Sequence, residues 1–152
     1  MPRRQVSLSL VLGYGKGKQG CKLLSEGAVE WKIEFLADEQ VVRVRTHGTV
    51  TLEPFMRMAA EVLALASRQG ADKFLVDHSE ATIGLTTIEI YNLTKGIEKL
   101  GLAKGAKAAI VYSPGSVSER DFTFYEDRAQ NSGFQHRIFG DPDDAMTWLA
   151  KP

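Results

Sequence analysis

From Trp31 onward the chain switches between two hydrophobic periods. Trp31, Ile33 and Phe35 alternate with Lys32 and Glu34, and after a turn at Ala37 to Gln40 the residues Val42, Val44 and Thr46 alternate with Arg43, Arg45 and His47. A period of two puts the apolar set on one side of an extended chain, so the spacing predicts two strands joined as an antiparallel hairpin. Gly48 ends it. Thr51, Glu53 and Pro54 then supply a cap, a first-turn acid and an early proline, which open a helix running to about Gln69 and stopped by Gly70.

The remainder alternates strand and helix. Phe74 to Val76 is an apolar run ending in Asp77, and a loop then leads to Thr86, whose spacing to Glu89 makes a capping box. Ile90, Leu93, Ile97 and Leu100 form the stripe of that helix, and Gly101 closes it. Ala108 to Tyr112 is a nearly all-apolar strand, expected at the centre of a sheet because it has no polar face. Ser116 with Glu119 repeats the capping box before a helix to about Ser132. Arg137 to Phe139 is a short strand, and Asp141-Pro142-Asp143-Asp144 opens a last helix carrying Ala145, Trp148 and Leu149. The order β-β-α-β-α-β-α-β-α predicts an α/β fold with a mixed, mainly parallel β-sheet and flanking helices.

Residues 1–28 stand apart from residues 29–152 and are read as an N-terminal extension. Val6, Leu8, Leu10 and Leu12 alternate with polar or small neighbours, which suits a strand paired onto its own sheet edge or onto a neighbouring subunit. This stretch is too short for a membrane span and lacks a small-x-small cleavage site. Gly13, Gly15, Gly17 and Gly20 make a basic turn with Lys16 and Lys18. A phosphate-binding loop is excluded, since Gln19 follows Gly17-Lys18 and Leu12 occupies the first glycine position.

Composition narrows the function only a little. Nineteen Lys and Arg against nineteen Asp and Glu give zero formal charge, which argues against a nucleic acid partner. The single cysteine, Cys21, cannot make an internal bridge and fits a reducing, cytoplasmic setting. No cofactor or metal is expected, because His47, His78 and His136 fall on three different strands without paired-ligand spacing. Asp77, His78 and Ser79 contain the residue types of a hydrolytic triad, yet neighbours in an extended strand point in opposite directions.

Two groups of residues carry candidate binding chemistry. In open α/β sheets ligands settle beyond the carboxyl ends of parallel strands, which nominates the polar cluster Asp77, His78, Thr82, Thr86, Ser113, Gly115 and Ser116. The second group is apolar. In the first helix Met56, Ala60 and Leu63 lie on a different arc from Phe55, Ala59, Val62 and Ala66, and in the third Val117 and Phe124 lie apart from Phe122, Tyr125 and Ala129. A helix covering one side of a sheet needs only one such face, so Met56, Leu63 and Phe124 are expected outside the core, at an interface or in a ligand cleft.

The element order, Trp31 in the first strand, Gly48-Thr49-Val50-Thr51 leading into the first helix, Phe74-Leu75-Val76-Asp77, and Phe139-Gly140-Asp141 before Ala145-Met146-Thr147-Trp148-Leu149 together resemble the anti-sigma-factor antagonist (STAS) fold. The resemblance is greatest to its SpoIIAA-like branch, which shares a superfamily-level likeness with CRAL-TRIO lipid-carrier domains. It covers Trp31 to Leu149 and implies a non-enzymatic binding or regulatory module of the bacterial cytoplasm, presenting an apolar surface to a lipid or apolar small molecule, a membrane or a protein partner, a second copy of itself included. Antagonist members carry a phosphorylated serine at the N-terminus of the helix after the equivalent of Phe74 to Asp77. This sequence has no Asp-Ser-Ser-Gly stretch there, and Thr86 and Thr87 are the positional equivalents for a phospho-regulated alternative.

Overall fold

A computed structural model describes residues 29–103, 105–113 and 119–151. Its elements are β1 (Glu30–Leu36), β2 (Val41–Val50), α1 (Leu52–Gln69), β3 (Lys73–Ile83), α2 (Thr87–Lys99), β4 (Lys107–Tyr112), α3 (Glu119–Asn131), β5 (Gln135–Phe139) and α4 (Pro142–Ala150). The strands lie in the sheet in chain order, with β1 antiparallel to β2 and every later pair parallel. Val6 to Leu12 and the Ser116 cap lie outside the described residues.

Alternation divides the core in two. Trp31, Ile33, Val42, Val44, Phe74, Ala108 and Ile110 pack with Met58 and Val62 of α1, Ile90 and Leu93 of α2, and Tyr125 and Ala129 of α3. Leu36, Val41, Leu75, Ala109 and Val111 project the other way, onto Ala145 and Leu149 of α4. Trp31 also reaches α1 with its indole, which donates to Glu61 Oε1 at 2.8 Å, so the ring is buried with its N–H satisfied.

One expectation holds and two are corrected. The all-apolar strand β4 lies inside the sheet, paired with β3 on one side and β5 on the other, as its lack of a polar face predicts. Helices α2 and α3 cover one of its faces and α4 the other. The loop expected after Asp77 is strand: β3 continues to Ile83. Arg45 pairs with Asp77 and His47 with Glu80, so β3 holds one residue more than β2 between these pairs. That bulge turns Ala81 toward the same helical layer as Phe74, and the side-chain parity changes partway along the strand.

The second correction concerns caps. Thr51 occupies the N-cap of α1 but makes no side-chain cap bond, as does Asp141 at α4. Thr86 behaves as its spacing predicts: the Glu89 N–H donates to Thr86 Oγ1 at 3.1 Å and the Thr86 N–H to Glu89 Oε1 at 2.9 Å. Gly70 ends α1 at φ 67°, a left-handed conformation that favours glycine.

Candidate functional site: a chamber beneath three helices

The layer between the sheet and helices α1 to α3 is not filled. A cavity of about 70 Å³ remains, walled by Val44, Val76 and Ile110 from the sheet, Phe55, Val62 and Leu63 from α1, Leu93 and Ile97 from α2, and Tyr125 from α3. His78, Tyr112 and His136 add the polar atoms. This is room for a few water molecules and well below the ~150 Å³ that admits benzene. Larger occupants require the walls to move.

Aromatic rings connect the walls. His78 stacks on Tyr112 with centroids 5.2 Å apart, and Tyr112 on Phe122 at 5.0 Å, while Phe55 is tilted against His78 at 6.3 Å. Farther along, His136 lies between Tyr125 and Phe134, at 5.7 and 5.2 Å. Each imidazole uses Nδ1 locally: that of His78 lies 2.7 Å from Thr46 Oγ1, and that of His136 lies 2.7 Å from the Tyr125 hydroxyl. His136 Nε2 is buried without a partner.

Burial sets the charge of the chamber. Loss of solvation lowers both imidazoles to a pKa of about 4, with the Asp77 carboxylate pulling His78 weakly the other way. Burial also pushes the Tyr112 and Tyr125 phenols upward. At neutral pH the chamber therefore holds neutral, hydrogen-bonding groups set in an apolar wall.

A groove of about 480 Å³ lies outside it, lined by Ala60, Ala64, Ser67, Leu100 and Ala106 among others. Leu63, Phe74 and Leu102 line the groove as well as the chamber, so the two cavities adjoin at these side chains. The opposite face of the sheet carries a separate polar recess of about 240 Å³ at Arg43, Arg45, Asp77, Ser79, Glu80 and Asp143.

The structure distributes the residues singled out from sequence. Leu63 lines both the chamber and the outer groove and is half-buried, packed against the edge of the core. The extra apolar arc of α1 is explained by a second neighbour, for Met56 reaches Gly96 of α2: a Cβ built there falls 3.1 Å from its terminal methyl. Phe124 is 38% exposed on α3, with the Arg120 guanidinium over its ring. The described members of the polar cluster do not converge. His78 faces the chamber, Asp77 faces the polar recess and accepts from the Ser79 N–H at 2.9 Å, and Thr82 is exposed. Ser113 donates to the Ser79 carbonyl, and Gly115 and Ser116 lie outside the described residues. Thr86 caps α2, and Thr87 is exposed at its first residue.

His136 and Tyr125 escaped sequence reasoning as a site because their link is a contact between a helix and the following strand. The detectable signal was a histidine at the alternate position between Phe134 and Ile138, with the exposed Gln135 and Arg137 beside it.

A five-stranded mixed sheet with three helices on one face and one on the other gives this chain a SpoIIAA-like fold. No protein-family model matches the chain, and no curated protein matches it. Among solved structures it is similar to the crystal structure of an uncharacterized protein from the DUF3478 family with a SpoIIAA-like fold, from Shewanella loihica PV-4. The identity is 21% and the TM-score 0.51, over 82% of this chain and 96% of that one. Among the described residues no helix is long and apolar enough to cross a membrane, and no group of three or more His, Cys, Asp or Glu could hold a metal ion.

Proposed function

We propose that the protein is a non-enzymatic binding or regulatory module that takes an apolar small molecule into the chamber beneath α1 to α3. The observation that carries this reading is the shared lining: Leu63, Phe74 and Leu102 border both the chamber and the outer groove, which makes them the side chains whose movement would join the two. Leu63 is then the movable wall and Met56 the packing between α1 and α2 that loosens as the chamber opens. Phe124 remains available to a protein partner, including a second copy of the chain. Native mass spectrometry of freshly purified protein tests the reading together with xenon binding followed by 129Xe NMR. A co-purified small molecule or saturable xenon uptake is expected. Absence of both, or a co-purified lipid or protein in place of a small molecule, would overturn it.

The runner-up is a phospho-regulated antagonist using Thr86 or Thr87. In its favour, Thr87 is exposed at the start of α2, where unpaired amides and the helix dipole stabilise an anion. Against Thr86, its hydroxyl is engaged in the capping box and the Glu89 carboxylate lies against it. Phosphate found on either threonine in cells would promote this reading.

A further inference from the structure

We infer that the chamber recognises a small uncharged molecule through one hydrogen-bond acceptor, a carbonyl oxygen being the simplest, which accepts from Nε2–H of His136. This rests on the reading of the chamber as a binding site and adds the polar anchor that selects its occupant.

Nδ1 of His136 and the Tyr125 hydroxyl are paired at 2.7 Å, and a neutral imidazole carries its proton on one nitrogen only. With the proton on Nδ1, the ring donates to the phenol oxygen. The phenol proton and the Nε2 lone pair are then both left without partners. With the proton on Nε2, the phenol donates to Nδ1 and the N–H at Nε2 is the one group left over. The second arrangement leaves fewer unmet groups, and an unmet buried group is costly. It also agrees with what the structure leaves open, since Nε2 of His136 is buried without a partner on a ring that is only 3% exposed and lines the chamber.

The surroundings then define the occupant. A free N–H asks for an acceptor. Burial keeps the imidazole neutral, so no cation is present to balance a carboxylate or phosphate. The other walls are largely aliphatic and aromatic side chains, which suit a compact hydrocarbon body on the far side of the acceptor. A chamber of about 70 Å³ limits that body to a few carbon atoms unless Leu63 swings aside.

The test uses the full chain labelled with 15N-histidine, with acetone as the acceptor probe and xenon as a purely apolar one. The imidazole 15N shifts should show His136 protonated at Nε2, and acetone should perturb that nitrogen saturably. His136→Phe should weaken acetone about five- to tenfold, the worth of one neutral hydrogen bond, while leaving xenon affinity within about twofold. Protonation at Nδ1, acetone binding indifferent to His136→Phe, or a bound water at Nε2 that acetone does not displace would each overturn the inference. Xenon binding without acetone binding removes the anchor and leaves the chamber standing; failure of both probes removes both readings. If His136→Phe does not fold, Tyr125→Phe replaces it. That variant keeps the ring and deletes the phenol that selects the tautomer, so it should weaken acetone and spare xenon, and unchanged acetone binding counts against the inference.

Discussion

Thr46 Oγ1 lies 2.7 Å from Nδ1 of His78, across the bulge where β3 gains a residue on β2. The contact gives a buried imidazole a partner in a stretch where the regular side-chain register of two strands is interrupted. A hydrogen bond does not replace the solvation that a charged ring would lose, so burial holds His78 neutral.

Stability should therefore fall with acid before the carboxylates titrate fully. Both His78 and His136 have folded pKa values near 4 against 6.5 when unfolded, so the unfolded chain binds more protons between these values. The stabilisation is complete above about pH 6.5 and is lost as pH falls through 4, by roughly 3 kcal/mol per histidine. Urea denaturation at pH 7.5, 5.5 and 4.5 measures the slope. His78→Gln or His136→Gln should lower stability at pH 7.5 and flatten the slope, and an unchanged slope in both would show that other groups set it.

Thr86→Ala should cost about 1 kcal/mol by removing one half of the capping box. Thr51→Ala should cost clearly less, because Thr51 makes no side-chain cap bond. Thermal melts of the two variants side by side decide the matter, and equal losses would contradict the difference between these helix starts.

Two glycines should respond oppositely to alanine. A Cβ at Gly84 would lie 3.0 Å from the Thr49 methyl and 3.3 Å from the Val50 carbonyl oxygen, where the Gly84 N–H to Val50 O bond of 2.7 Å ties the chain after β3 to the end of β2. Gly84→Ala should destabilise by about 1–3 kcal/mol. At Gly96 the obstacle is the flexible end of Met56, which can shift, and alanine is favoured in a helix interior by up to about 1 kcal/mol. Gly96→Ala should be neutral or stabilising, and a large loss there would mean that Met56 is fixed.

Leu63→Ala should thin the border between chamber and groove. Because the side chain is only half-buried, the cost in stability should be about 2 kcal/mol, at the low end for leucine truncation. Exchange of xenon, read by saturation transfer, should accelerate. Slower or unchanged exchange would place the entrance elsewhere.

The sequence declared the elements whose signal is local. Thr86 and Glu89 are three residues apart and meet as their spacing requires, and Gly70 ends α1 as its lack of a Cβ allows. Trp31, Ile33 and Phe35 alternate regularly because β1 has no bulge. Where a second strand or helix decides the outcome, the pattern misleads. Phe74 and Val76 are even-numbered core positions and Ala81 is odd, so a reader of alternation ends the strand at Asp77, whereas the bulge continues it with the parity exchanged. The two apolar arcs of α1 were visible, but that one of them meets α2 at Gly96 is a fact of packing. For the chamber, His136 could be seen only as one of three scattered histidines, since its phenol partner comes from a helix that precedes its strand.

Because the strands stand in the sheet in the order in which they are made, each parallel strand finds its neighbour already synthesised, and the sheet can grow by accretion as the chain lengthens. The two faces mature at different times. The layer of Trp31, Val44 and Ile110 gains cover from α1 onward, while Leu36, Val41, Leu75, Ala109 and Val111 wait for Ala145 and Leu149 of α4. A chain that stops short of Leu149 would thus leave the apolar side chains of that sheet face without the cover of α4, the shortest helix among the described residues.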